Sequence, residues 1–374
     1  MNFDYNEEQQ LLADSVRRFL AKDYDFEKRR KIVASPEGWS AEVWATMVEM
    51  GLTGIPISTD YGGFGGGAVD LMGVMEAMGD ALVVEPYLAT VGLGAQFVAR
   101  GGSKAQKKEV LPAVVAGRMK LALAHSEKGA RYNLAQVRTS ARPSGGGWEI
   151  SGEKCVVLGA PLADKLVVSA QTAKGLSLFL VDSSASGLSV KPTFTLDEQR
   201  AGDVVLNSVA VGADALVGSE GEALPLVEEV VDFATALICA EAVGAMEFAC
   251  DTTLEYLKTR KQFGVPIGTF QALQHRMVDM FIAYEQAKSM ACLACSRADA
   301  AVDAGERARA VSAAKIRIAD ACRHISQESV QLHGGMGMTE ELKVSHTFRR
   351  LTVIAQQFGD ADHHLARFAA LQAA

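Results

Sequence analysis

Lys154-Cys155-Val156-Val157-Leu158, Lys165-Leu166-Val167-Val168-Ser169 and Leu176-Ser177-Leu178-Phe179-Leu180-Val181 are three short runs in the middle of the chain, and their texture decides the fold class. Each is apolar or β-branched. Lys120-Leu121-Ala122-Leu123-Ala124 and Trp148-Glu149-Ile150 read the same way, and clusters such as Ser144-Gly145-Gly146-Gly147 separate the runs. Short runs of this kind, punctuated by turn residues, predict a small β-barrel or sandwich over residues 119–222. On either side the period becomes helical. Toward the N-terminus, Asn6-Glu7-Glu8-Gln9 opens an amphipathic run with Leu11, Leu12, Val16, Phe19 and Leu20 on one stripe. Trp39, Val43, Trp44, Met47, Met50 and Leu52 form a second stripe, and a helix is predicted from Val69 through Met78. Toward the C-terminus the helical period returns at about residue 223 and holds almost to the end, with Ala-rich stretches such as Ala283 to Ala304 suited to close antiparallel packing. The expectation is an α+β multidomain chain: a helical domain over 1–118, a β-barrel over 119–222 and a four-helix bundle over 223–374.

Bulk properties narrow the function. With 374 residues, 49 % of them apolar, the chain can build two or three domains with large cores. A formal net charge of -8 argues against nucleic acid as a partner, and aromatics at 7 % leave no evident stacking platform. The first residues, Met1 to Glu8, carry neither a basic n-region nor an apolar h-region, so no signal peptide is expected. No uninterrupted apolar stretch reaches about 18 residues, so no membrane span is expected. Six cysteines fit reduced, mostly buried thiols in a cytoplasmic protein. Cys292 and Cys295 form a C-x-x-C in an Ala-rich helical setting, but no second Cys or His pair completes a site, so no metal is expected. Gly62-Gly63-Phe64-Gly65-Gly66-Gly67 suggests a phosphate cradle; with no strand before it and no Lys-Ser/Thr after it, it reads as a loop.

Four further segments carry a specific resemblance. Gly51-Leu52-Thr53-Gly54-Ile55-Pro56 is followed by Asp60-Tyr61-Gly62-Gly63-Phe64-Gly65, and Lys107-Lys108-Glu109-Val110-Leu111-Pro112 by Ala116-Gly117. Arg260-Lys261-Gln262-Phe263-Gly264 precedes Ile267-Gly268-Thr269-Phe270-Gln271, and Gln331-Leu332-His333-Gly334-Gly335-Met336-Gly337 lies near the end. In this order they resemble the acyl-CoA dehydrogenase family across nearly the whole chain, most of all the small subunit of pimeloyl-CoA-type dehydrogenases. The resemblance implies FAD as cofactor, an acyl-CoA substrate, an electron-transfer acceptor protein and an oligomer, homomeric or mixed with a homologous subunit. It places Arg260 on the FAD diphosphate, for which a guanidinium is the natural bidentate partner. Gln262, Phe263 and Gln271 fall nearby, Gln331 falls on the adenosine half, and Gly334 and Gly335 allow close backbone approach. In the family these residues serve the FAD of a neighbouring subunit.

The chain also departs from the pattern. Where the family has a Thr-bearing loop against the flavin, this chain has His125-Ser126-Glu127-Lys128-Gly129-Ala130-Arg131-Tyr132-Asn133, with Ser126 standing in for the threonine. Where it has a Trp and a Thr at the flavin ring, this chain has Val156 and Leu158. The glutamate base of the C-terminal loop is missing from Gln357-Phe358-Gly359-Asp360-Ala361-Asp362-His363-His364. Asp360 is the nearest carboxylate. Some relatives place the base on the first helix of the last domain, about at Ala234 here, and Glu241 lies two turns on along the same face, roughly 10 Å away. Glu241 and Asp360 are therefore the candidate bases, with His363 or His364 a weaker choice. The remaining alternatives are that the chain holds no base and is a non-catalytic partner lending FAD-binding residues to a catalytic sister, or that it is an oxidase on the same fold. The expected reaction is α,β-dehydrogenation of an acyl-CoA thioester, the α-proton going to a carboxylate and the β-hydrogen to flavin. Small residues at Ala234, Ala236, Ala240, Ala242 and Gly244 suggest either room for a long or bulky acyl chain or close helix packing.

Overall fold

The computed structural model describes residues 5–300 and 303–373. The reading of Met1 to Asp4 as lacking a leader, and residues 301–302 of the Ala-rich stretch, lie outside the described residues. The elements run α1 (Glu7–Asp23), α2 (Phe26–Ala34), α3 (Ala41–Glu49), α4 (Ala68–Ala81), α5 (Ala95–Gly101), α6 (Lys104–Val115), then β1 (Leu121–Ala124), β2 (Ser140–Ser144), β3 (Gly147–Leu158), β4 (Lys165–Thr172), β5 (Gly175–Asp182), β6 (Leu188–Phe194), β7 (Arg200–Val211) and β8 (Leu216–Val217). After these come α7 (Leu224–Thr259), a small hairpin β9 (Lys261–Gln262) and β10 (Val265–Pro266), and α8 (Gln271–Asp299), α9 (Ala304–His333), α10 (Lys343–Gln356) and α11 (Ala361–Ala373). The α, β, α order follows the change of period in the sequence. By compactness the chain forms two units, one of residues 1–31, 67–83 and 235–374, the other of 32–66 and 84–234.

The second unit is built on the sheet. Its strands run in the order β6-β7-β3-β2-β4-β5-β8, with β1 added in parallel to β4. Val190 from one edge strand and Leu216 from the other both pack on a single core containing Ile150, Leu166, Phe179 and Val204, so the sheet curls around one interior. The two runs read separately as Trp148–Ile150 and Lys154–Leu158 are one strand, β3, interrupted by register shifts against β7. The Gly62–Gly67 segment is a loop, closed by backbone hydrogen bonds such as Gly65 N to Ile57 O at 2.7 Å.

The first unit is helical. α1 starts in a capping box, Asn6 accepting from the Gln9 amide while the Gln9 side chain accepts from the Asn6 amide, and buries Ala13, Val16 and Leu20 on one stripe. The close crossing of α4 and α7 depends on two glycines. A Cβ on Gly79 would stand 1.9 Å from the Glu241 carbonyl oxygen, and one on Gly244 would stand 1.8 Å from the Glu76 carbonyl oxygen. Gly244 thus serves helix packing rather than an acyl pocket. The Ala283–Ala304 stretch is not one helix: α8 stops at Asp299, whose carboxylate accepts from the Ala68 and Val69 amides at 2.7 and 2.8 Å and caps α4. α7 has the length and hydropathy of a membrane span, but 89 % of its most apolar window is buried in the protein, which is the pattern of a core helix.

Candidate functional site

One end of the helical unit gathers the residues expected at the cofactor. α7 ends at Thr259, and Arg260 follows with its amide on the Tyr256 carbonyl and its own carbonyl accepting from Ile267. Lys261–Gln262 and Val265–Pro266 pair as a hairpin whose tip, Phe263 and Gly264, has φ of +54° and +82°. Two successive positive φ values are what a two-residue hairpin turn demands, and only the glycine adopts one without strain. Phe263 is consequently thrust outward, 90 % exposed, with only an edge-on contact to Phe270 at 6.1 Å. Gln271 begins α8 next to this hairpin and is exposed. The Gln331–Gly335 turn joins the same end, because the His333 ring stacks on Tyr256 at 4.5 Å. Gly334 has φ +60° and ψ -143°, a conformation open only to glycine, and a Cβ on either Gly334 or Gly335 would meet nothing within 4 Å.

This end fits a dinucleotide diphosphate. Arg260 is exposed and, among the described residues, has no carboxylate partner, so its guanidinium is free for an anion. The two glycines present bare backbone beside it, and Gln262, Gln271 and Gln331 are all exposed donors and acceptors. Glu241 lies 18 residues before the end of α7, roughly 27 Å along a helix rising 1.5 Å per residue. Arg260 and Glu241 therefore point to different sites.

The β unit presents a weaker match. Ser126 is exposed, and its carbonyl accepts from the Cys155 amide at 2.8 Å. Val156 has φ +50°, unusual for a β-branched residue, is 58 % exposed, and is held there by its amide donating to Asp203 Oδ1 at 3.0 Å. The conformation turns position 156 outward on the strand, and the side chain present has no ring. A cavity of about 300 Å³ beside it is lined by Glu127, Arg138, Lys154, Cys155, Lys191 and Asp203.

Beneath lies a buried ionic network that sequence reasoning missed. Lys154 Nζ donates to Glu127 Oε1 at 2.7 Å and Ser169 Oγ at 3.0 Å, and Glu127 also accepts from the Arg138 and Thr139 amides and the Thr139 hydroxyl. Burial alone would raise the Glu127 carboxyl; the bonds from Lys154, Thr139 and Arg138 outweigh it and hold it down at about 2. Burial pulls Lys154 down to about 8 against the opposing pull of Glu127. His125 is lowered to about 4, by burial first and the Lys154 charge second. A lone lysine inside the apolar run Lys154–Leu158 was the available signal, since an inward lysine needs a carboxylate. Nothing in the sequence pointed to Glu127 as its partner.

The two candidate bases differ in freedom. Glu241 is buried, and both of its oxygens are taken by Arg350, Nε to Oε1 at 2.6 Å and Nη2 to Oε2 at 2.8 Å. Asp360 is half-buried and caps α11, Oδ1 accepting from the His363 amide at 2.8 Å. Its second oxygen has no partner among the described residues. Asp360 lines a cavity of about 460 Å³ with Asp320, Arg323, Phe348, Thr352 and Gln356. His364 is buried between Ser312 Oγ and the Phe358 carbonyl, and burial with the nearby Lys315 charge lowers it to about 3. Burial also lowers His363. Neither ring is placed as a free base.

Helices, a curled β-sheet and helices in that order, with an open guanidinium and two bare glycines at one end of the helical unit, are the features of a multidomain α+β protein able to hold a dinucleotide. Residues 6–118, 122–209 and 224–370 match the N-terminal, middle and C-terminal domains of acyl-CoA dehydrogenase, and the chain belongs to that family, whose members are FAD-dependent oxidoreductases acting on CH–CH bonds. Acyl-CoA dehydrogenase FadE12 of Mycobacterium tuberculosis is 32 % identical over 370 residues, covering 95 % of this chain and 93 % of that protein. Among solved structures, the ChsE4–ChsE5 complex of Mycobacterium tuberculosis is similar with a TM-score of 0.92 and 26 % identity, covering 100 % of this chain and 99 % of that one. PigA with FAD and proline is similar with a TM-score of 0.92, 26 % identity and the same coverage.

Proposed function

We propose that this chain catalyses α,β-dehydrogenation of an acyl-CoA thioester within an oligomer, its Arg260 end serving the FAD of a neighbouring subunit. The observation that carries the reading is the exposed, carboxylate-free Arg260 beside the open Gly334–Gly335 backbone, far along α7 from Glu241. When bound, FAD supplies the acceptor for the β-hydrogen. Arg260 and Gln331 bind and orient the dinucleotide; Gln262, Phe263 and Gln271 line its approach; Ser126 offers a hydroxyl at the flavin side. Asp360 takes the α-proton on its uncommitted oxygen, while its other oxygen is fixed by the His363 amide. Glu241, engaged on both oxygens by Arg350, acts as scaffold in this reading. The division into 1–118, 119–222 and 223–374, the electron-transfer acceptor protein, the likeness to pimeloyl-CoA-type small subunits and a cytoplasmic location belong to the same proposal. The location is supported by six cysteines that are all free.

A second reading starts from the flavin side: Val156, exposed with φ +50°, and Leu158 offer neither ring nor hydroxyl, as a mixed oligomer in which a homologous sister holds the complete site would require. Both readings are tested by assaying a panel of acyl-CoAs with an artificial electron acceptor, using the chain alone and co-expressed with a homologous subunit. Asp360→Asn should lower turnover by about 10²–10⁴-fold. Full turnover by that variant would remove Asp360 from the mechanism, and turnover only with the sister's own base intact would establish the second reading.

A further inference from the structure

The loop between α10 and α11 holds two successive residues at positive φ, Phe358 at +59° and Gly359 at +124°. A phenylalanine in the left-handed region is strained, and such a conformation persists only when its surroundings over-determine it. Four contacts do so. Lys315, on α9, donates from Nζ to the Gly359 carbonyl at 2.7 Å and to the Ala355 carbonyl at 3.2 Å, the latter in the last turn of α10. The His364 ring lies 3.1 Å from the Phe358 carbonyl. The Gly359 amide donates to the Gln356 carbonyl at 3.3 Å.

Lys315 is the unexpected member. It is fully buried on α9, and among the described residues no carboxylate lies within ion-pair distance. Burying an ammonium with no carboxylate in direct contact is costly, and burial lowers its pKa against the longer-range pull of the Asp360 charge. The Ala355 carbonyl lies at the negative end of α10, where a cation is favoured. A smaller apolar residue would fill the space without that cost, so the amine's return is the fixed loop.

We propose that Lys315 is a positioning residue: by holding the carbonyls of Ala355 and Gly359 it fixes the loop that carries Asp360, and thereby sets where the Asp360 carboxylate lies. The inference rests on the reading of Asp360 as proton acceptor. Lys315→Met keeps most of the volume and removes the donors. In the FAD-loaded assembly, hydrogen exchange at the Gly359, His363 and His364 amides should quicken at least tenfold while amides of mid-α7 are unchanged. The kcat should fall at least tenfold with KM within about twofold, and Lys315→Arg, which keeps charged donors, should recover part of both losses. Unchanged loop exchange in Lys315→Met, or a loosened loop with full kcat while Asp360→Asn is inactive, overturns the positioning role. Full activity in Asp360→Asn instead overturns the reading of Asp360 and the proposal with it. Should Lys315→Met not yield folded protein, Lys315→Gln, which keeps one N–H donor on a shorter arm, should show intermediate loop exchange; wild-type exchange there would overturn the proposal.

Discussion

Replacing Arg350 by methionine tests whether Glu241 is scaffold. Both side chains are almost fully buried and share two short hydrogen bonds. Removing the guanidinium strands a carboxylate in the helical unit, and breaking one side of a buried pair costs about 3–5 kcal/mol. A ceiling follows from proton uptake. A glutamate with an ordinary pKa near 4.3 is protonated at pH 7 for about 3.7 kcal/mol, so the stranded group neutralises rather than exceed that charge penalty by much. The penalty should therefore shrink by about 1.4 kcal/mol per pH unit on acidification. Urea unfolding followed by circular dichroism at pH 7.5 and 5.5 measures it, with an expected difference of about 2.7 kcal/mol between the two conditions. Glu241→Met/Arg350→Met, which removes both charges, should regain most of the loss. A cost below about 1 kcal/mol for Arg350→Met at pH 7.5, or one independent of pH, would refute the buried-pair account.

Other outcomes follow from the same structure. Gly244→Ala forces a Cβ into the Glu76 carbonyl across the α4–α7 crossing and should destabilise by at least 1–3 kcal/mol, read by urea unfolding; a neutral effect would contradict the backbone contact. Arg260→Ala should lose a charge-assisted pair of about 1.5–3 kcal/mol, seen as FAD lost on gel filtration of the oligomer, and wild-type occupancy would count against the assignment. His364 is held neutral down to about pH 3 and His125 to about pH 4, whereas in the unfolded chain both take up protons near pH 6.5. Each therefore adds stability above pH 6.5 that is lost as pH falls toward those values. His364→Asn should reduce the acid slope by about one proton's worth; an unchanged slope would rule out its part.

The fold was legible because its signals are local. The runs from Lys154 to Val181 announce strands by composition, and the stripe Leu12, Val16, Leu20 announces α1 by period. The neighbourhood of Arg260 and the Gln331–Gly335 turn was legible for a different reason: Arg260, Phe263 and Gly335 sit in short motifs whose spacing is fixed by a hairpin and a turn. What the sequence hid depends on long-range pairing. Arg350 lies 109 residues from Glu241, and Lys154 lies 27 from Glu127. No periodicity links such partners, and each looks like an ordinary charge until the helices and strands meet. The break at Asp299 was hidden too, because the alanines around it favour helix and the reason to stop is a capping duty on distant α4. Gly244 was ambiguous for the same cause, its neighbour across the crossing being Glu76.

Anaerobic titration of the FAD-loaded assembly with acyl-CoA thioesters, followed by flavin absorbance, shows directly whether this chain dehydrogenates them. At least one acyl-CoA should bleach the flavin and yield the matching α,β-unsaturated product, and Arg260→Ala should lose both flavin and bleaching. A fully loaded assembly that no acyl-CoA bleaches, with or without a homologous subunit, would contradict that activity.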